Sequence, residues 1–315
     1  MTTQTRTTPV EAAPGAPASR ARRLGRLAPY ALILPATVVL LFALGYPLVW
    51  QLITSTQTFG LAQQFGKPPE FVGLENYVGV FSNPETWGVV LRSILFMAVN
   101  AVLTVVIGVL LALLMNAVGR AVRLALQISL LIAWAMPVVA VMTVWTWIFN
   151  WHRGVVNYLL NLLGGDFTNH NWLESPLSFF AVATIIVVWM SVPFVAFSVY
   201  AGLTQVSDEV LEAAQLDGAD GTRRFFHIIL PMIRPVLMIV LLLQLIWDLR
   251  VFTQIRMLQD AGAPIASTDL LGTYIYRLGV ASSDFGMASA LSVFVLLLTI
   301  VLSSFYVVQL LKEDN

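Results

Sequence analysis

Charge is absent from long stretches of this chain, and the spacing of those stretches sets the first expectation. Uncharged runs cover Leu27 to Phe65, Ser93 to Gly119, Leu124 to Asn150, Ser175 to Ser207 and Phe285 to Leu311; a more polar one covers Ile229 to Leu249. About 20 apolar residues in a helix cross about 30 Å of hydrocarbon, so the pattern predicts six transmembrane helices. They fall near 30–53, 93–116, 124–149, 178–202, 229–250 and 287–311. The fifth is the most polar, with Arg234 and Pro235 in its first turns and Asp248 and Arg250 near its end. Snorkelling towards both interfaces accommodates such charges.

Composition agrees with the pattern. The chain is 58% hydrophobic and 11% charged, against about a quarter charged in soluble domains. It has no cysteine, which excludes disulfides, thiolate metal sites and thiol nucleophiles. Arg20, Arg22, Arg23 and Arg26 precede the first apolar run in the manner of a signal peptide. That run is longer than the usual h-region and lacks an Ala-x-Ala exit, so an uncleaved first span is expected.

Residues 1–27, basic and rich in Thr, Pro and Ala, are expected to be a disordered cytoplasmic tail ahead of a six-span domain over 28–315. Alternate loops divide the cations unevenly. Arg6, Arg20, Arg22, Arg23, Arg26, Arg120, Arg123, Arg223, Arg224, Arg234 and Lys312 fall on one side. Lys67, Arg92, Arg153, Arg250, Arg256 and Arg277 fall on the other. The richer side is expected to be cytoplasmic, with both termini there. Outside loops then run over about 54–92, 150–177 and 251–286, while 117–123 is a tight inside turn. The one substantial cytoplasmic connection is 203–231.

Within that connection, Ser207 to Leu216 has helix-forming residues, a possible Ser207 cap and acids in its first turn. Gly218 ends the helix, and a second helical piece is expected from about Gly221 to Ile229. Taken alone, this pattern fits either a surface helix between spans or a docking element that Ala213 and Ala214 let another protein approach closely. Its spacing is more specific. Glu212-Ala213-Ala214, three residues, Gly218, nine residues and Ile228-Ile229-Leu230-Pro231 resemble, without a gap, the EAA signature of the permease subunits of binding-protein-dependent ABC importers.

Other segments are similar to the maltose-type sugar permeases of that family. They are Phe71-Val72-Gly73-Leu74-Glu75-Asn76-Tyr77, Leu34-Pro35, Tyr46-Pro47, Trp189 to Phe194 and Arg250 to Ile255. The resemblance implies an all-α integral membrane protein with the type I ABC importer permease fold, in a bacterial cell membrane. It also implies a second homologous permease subunit, two cytoplasmic ATPase subunits and an extracytoplasmic sugar-binding protein as partners, with no nucleic acid. Glu212, Ala213, Ala214, Asp217 and Gly218 would then couple to the ATPase. The chain has two lysines, Lys67 and Lys312, and neither stands in a GxxxxGK[ST] loop. ATP and Mg are therefore expected on the partner, and no cofactor on this chain.

Intramembrane polar residues are functional candidates by default. Gln244 and Asp248 lie four apart on one helical face, with Trp247 alongside and Arg250 beyond. Amides and carboxylates bind hydroxyls, and aromatic rings stack on sugar C–H faces; in the family this span lines the translocation path. The competing reading leaves Asp248 and Arg250 facing water at the outer interface. Ser191 and Phe194 match positions near the family's sugar path, although Pro193 and Ser191 could serve only to kink the helix and satisfy the freed backbone. Interfacial anchoring accounts for Trp145, Trp147 and Trp151. The three histidines, His152, His170 and His227, are dispersed, so no metal site is expected. Where the family often has a Thr-Gly-Gly-Gly-Pro-like loop, this chain has Gln259-Asp260-Ala261-Gly262-Ala263-Pro264.

Two other functions compete with an ATP-driven permease of di- or oligosaccharides. An ion-coupled secondary sugar carrier would show repeated halves and broken helices, and the sequence suggests neither. An intramembrane hydrolase would need a G-x-S-x-G or H-E-x-x-H string or two deep aspartates, none of which is present.

Overall fold

The computed structural model describes Tyr30 and residues 32–313, so the expected basic tail lies outside the described residues. The chain divides into two units, residues 1–53 and 54–315. The first carries helix α1 (Leu32–Thr54), which widens into a π turn at Leu41–Gly45. Pro47 stands two residues beyond Gly45 and cannot donate a backbone hydrogen bond, which favours such a bulge in the turn before it.

The second unit begins with a two-residue antiparallel ladder, a small departure from the all-α expectation. In it β1 (Gln57–Thr58) pairs with β2 (Glu70–Phe71) around α2 (Leu61–Gln64). Helix α3 (Glu75–Ser82) follows. The Phe71 to Tyr77 segment ties this region together. Asn76 Nδ2 donates to Ser55 O at 2.9 Å and Gln57 O at 2.8 Å, and the Tyr77 and Ser55 hydroxyls lie 2.8 Å apart. A Cβ on Gly286 would stand 2.7 Å from Gln57 O, so only glycine allows this approach.

Helix α4 (Pro84–Ala117) starts nine residues before the predicted span. Asn83 Oδ1 accepts the Glu85 N–H at 2.9 Å and Pro84 takes the first turn, a start signal outside the apolar run. The tight turn at Val118–Gly119 is as expected. Arg123 Nε and Nη2 donate to Met115 O at 2.7 Å and Val118 O at 3.1 Å, satisfying carbonyls at the end of α4.

The third span is not the single helix predicted over 124–149. It consists of α5 (Arg120–Ala135) and α6 (Val138–Ile148), bent by 100°. Pro137 disfavours helical backbone at Met136, and both residues are extended, with ψ of 134°. This overturns the expectation that no span is broken.

A short α7 (Val155–Leu162) precedes α8 (Pro176–Leu203), which stays continuous through Pro193. Then come α9 (Asp208–Leu216), α10 (Gly221–Arg224), a π turn at Phe225–Ile229, and α11 (Leu230–Leu249). The last predicted outside loop holds α12 (Thr253–Asp260), α13 (Ile265–Thr268) and α14 (Leu271–Tyr276), and α15 (Phe285–Glu313) closes the chain. Five helices among the described residues are long and apolar enough to cross a membrane, six counting the bent pair as one span.

The α4–α8 pair is the core of this unit, and α11 packs against both and against α15. Close approach needs Gly108, where a Cβ would stand 2.4 Å from Val195 Cγ1.

Candidate functional site

Helix α9 stands on the connection between α8 and α11. Ser207 has N-cap geometry (φ −69°, ψ 139°), but its side chain makes no capping bond, so the predicted cap is positional only. Asp208 and Glu209 occupy the first turn as expected, opposite the positive end of the helix dipole. The C-terminus is fully built. Gly218 has φ +80°, Ala219 N–H donates to Ala214 O at 2.9 Å and Gly218 N–H to Gln215 O at 3.1 Å. This is a Schellman closure, and its left-handed position favours glycine.

Asp220 was not foreseen. Its Oδ1 accepts the Arg223 N–H at 2.7 Å and starts α10, so the chain turns between two short helices without a floppy joint. Ala214 is buried, whereas Glu212, Ala213 and Asp217 are exposed and Leu216 is 90% exposed. No ion pair among the described residues involves Asp208, Glu209, Glu212, Asp217 or Arg223.

Deeper in the bundle, the predicted face of α11 is real but its polar pair is closed on itself. Gln244 Nε2 donates to both Asp248 carboxylate oxygens at 2.9 Å. Gln244 is 0% exposed and Asp248 2%, so Asp248 does not face water; Arg250, just past the helix end, is exposed. Among the described residues Gln244 Oε1 has no partner, and neither do Asn100 Oδ1 and Thr104 Oγ1 on the neighbouring α4. Each buried unpaired group costs about 1–3 kcal/mol.

Trp247 is 45% exposed and meets Phe194 of α8, with ring centroids 5.0 Å apart. Phe194 in turn stacks on Trp134 of α5 at 6.4 Å. Trp134 stands one residue before the end of α5, so the Pro137 bend sets where that helix stops. The sequence could not anticipate this trio, because its members are contributed by three separate helices. The Ser191 hydroxyl makes no hydrogen bond among the described residues and does not satisfy the backbone freed by Pro193.

The opposite end of the bundle holds a polar network that was also missed. Asp269, 0% exposed, accepts from Arg277 Nε at 2.7 Å and from Gln259 Nε2 at 3.0 Å. Arg277 also pairs with Glu85, and Arg92 donates to Asp269 O at 3.2 Å and Ala266 O at 3.1 Å. Burial works against the charge on Arg277, and the bonds to Glu85 and Asp269 outweigh it, holding its pKa above the ordinary arginine value. Among the described residues no group of His, Asp or Glu could hold a metal ion.

Residues 104–310 match the family model described as binding-protein-dependent transport system inner membrane component. The chain is 42% identical over 302 residues to the diacetylchitobiose uptake system permease protein DasB of Streptomyces coelicolor, covering 96% of this chain and 92% of that one. It is 35% identical over 278 residues to the trehalose/maltose transport system permease protein MalF of Thermococcus litoralis, covering 86% and 90%. In fold it is similar to a chain in the crystal structure of a bacterial ABC transporter involved in the import of the acidic polysaccharide alginate. The TM-score there is 0.80 over 94% of this chain and 100% of that one, at 22% identity.

Proposed function

The chain belongs to the inner-membrane component family of binding-protein-dependent transport systems, a multi-pass permease of the cell membrane, and we propose that its cargo is a di- or oligosaccharide. An extracytoplasmic binding protein delivers the sugar, a second homologous permease completes the pore, and two cytoplasmic ATPase subunits supply the energy. The relatives named for diacetylchitobiose and for trehalose and maltose support this cargo class.

The observation that carries the coupling role is α9, which ends in a closed Schellman turn and presents Glu212, Ala213, Asp217 and the apolar Leu216 outward. A rigid helix with unpaired acids and an exposed leucine can seat in a cleft and pass a displacement to α8 and α11, which flank it. The α9 end faces the cytoplasm in this reading, in keeping with the arginines on that side.

Trp247 and Phe194 form the aromatic wall of the sugar path, with Ser191 and Arg250 as polar contacts at its edge. Gln244 and Asp248 join the path when α4 and α11 separate during the cycle. The unpartnered atoms of Gln244, Asn100 and Thr104 support this, because sugar hydroxyls would satisfy them. Gln244→Leu and Asp248→Ala are then expected to change uptake rate or sugar preference while basal ATP hydrolysis persists. Unchanged uptake kinetics in both variants would remove the pair from the path.

Reconstitution in liposomes tests the whole reading. Sugar uptake should require the ATPase, ATP and the binding protein together. Uptake by this chain alone, or driven by an ion gradient, would overturn it.

A further inference from the structure

At the end of the bundle opposite α9, two cavities of about 320 and 340 Å³ adjoin at Trp151, which lines both. Each has the size of a small-molecule pocket. Tyr158 and Phe167 line the first, Trp147 and Phe149 the second.

Three asparagines along this track share one arrangement. Asn150 Oδ1 accepts the N–H groups of His152 and Arg153, both at 3.0 Å. Asn161 Oδ1 accepts the Phe167 N–H at 2.7 Å, and Asn171 Oδ1 the Leu173 N–H at 3.0 Å. A backbone N–H must meet an oxygen, so each amide is fixed in orientation. Each Nδ2 is left without a partner among the described residues. Asn157 is different: buried, it donates to Trp151 O at 3.2 Å and His170 O at 2.9 Å and accepts from Trp172 Nε1 at 2.6 Å. It ties the walls of the first cavity together.

From this we infer that the track is a second saccharide-binding site, separate from the path through the bundle, taking two or more sugar rings across Trp151. Exposed rings of Trp147 and Tyr158, and the face of Trp151 that His152 does not cover, suit sugar C–H faces, and oriented amide N–H groups suit hydroxyl oxygens. Arg153 lines the track without an ion-pair partner among the described residues, and no Asp or Glu lines either cavity, so neutral and acidic saccharides fit and cationic ones do not. Ala261, from the loop that departs from the family's glycine-rich pattern, closes part of the second cavity.

The inference rests on the saccharide-importer reading, and the experiment separates the two. The complete transporter is placed in nanodiscs without its binding protein, and saturation-transfer NMR is recorded with maltose, cellobiose and N,N′-diacetylchitobiose. At least one should bind saturably, weakened about threefold to tenfold by Trp151→Ala and by Tyr158→Ala, the worth of one aromatic contact. Tyr158 is 63% exposed, so its truncation leaves the fold intact, which an unchanged melting temperature checks. No saturable signal, or the same affinity in both variants, overturns the second site while ATP-driven uptake of the sugars keeps the importer reading. Weaker capture of the binding protein with saccharide affinity unchanged would make the track a protein-docking surface and likewise overturn it. If the intact system imports no saccharide, the cargo reading falls and takes this inference with it.

Discussion

At one end of the bundle Glu85, Arg92, Asp269 and Arg277 are bound to one another or to backbone carbonyls across three segments of chain. At the other, Asp208, Glu209, Glu212 and Arg223 make no ion pair among the described residues. The difference separates charge that ties the fold together from charge that is left open to the proposed partner. Buried charges persist only when paired, because desolvation costs several kcal/mol per ion. Exposed unpaired charges contribute little to folding, so the α9 end can be spent on recognition.

Removing a partner at the tied end should therefore have the largest effect on stability. Asp269→Ala removes one acceptor each from Arg277, which keeps Glu85, and from the Gln259 amide, which keeps Thr268, and the lost bonds to a buried carboxylate should cost about 1.5–3 kcal/mol. Denaturation of the detergent-solubilised protein measures it. A loss below about 1 kcal/mol, the range of an exposed pair, would mean that this end is no more dependent on its charges than the other.

A middle effect belongs to Gly218, where backbone geometry and coupling meet. Gly218→Val places a β-branched residue at φ +80° and should cost about 1–2 kcal/mol. Because no atom stands within 4 Å of its Cβ position, the cost comes from the backbone alone and stays local to α9. Uptake should fall with the bundle still folded. Full uptake in this variant would show that the Schellman closure has no part in coupling.

How far the sequence reveals each end follows the range of the interactions. The α9 turn depends on contacts within six residues, so the helix and the glycine that ends it were legible locally, while the Glu212 to Pro231 spacing was legible through its resemblance to a family signature. Ser207 marked the start of the helix although its side chain makes no capping bond, and Asp220 went unnoticed because one short acid before Gly221 is weak evidence of a cap. The Arg277 to Glu85 pair bridges 192 positions, and no local pattern announces it. Prolines show the same limit. Pro193 and Pro235 lie inside continuous helices, whereas Pro137 breaks one, although each stands in a stretch that the pattern predicts as one span. What separates them is the backbone: Met136 and Pro137 are extended, whereas the helix runs on through Pro193 and Pro235. The face of Gln244 and Asp248 was legible from their four-residue spacing; that they bond to each other in the dark interior was not.

The smallest expected effect on folding is at Glu212, and it is the sharpest test of the contrast. Its side chain is exposed and has no hydrogen bond or ion pair among the described residues, so Glu212→Ala removes no native contact. Alanine also favours helix slightly more than glutamate. Stability should stay within about 0.5 kcal/mol of the parent, as for surface substitutions generally. Uptake should nevertheless be lost, with ATP hydrolysis either uncoupled from it or missing because the ATPase no longer binds. Paired measurements of melting temperature and uptake in one preparation decide the matter: normal uptake removes Glu212 from the coupling role, and a large drop in stability moves it into the fold.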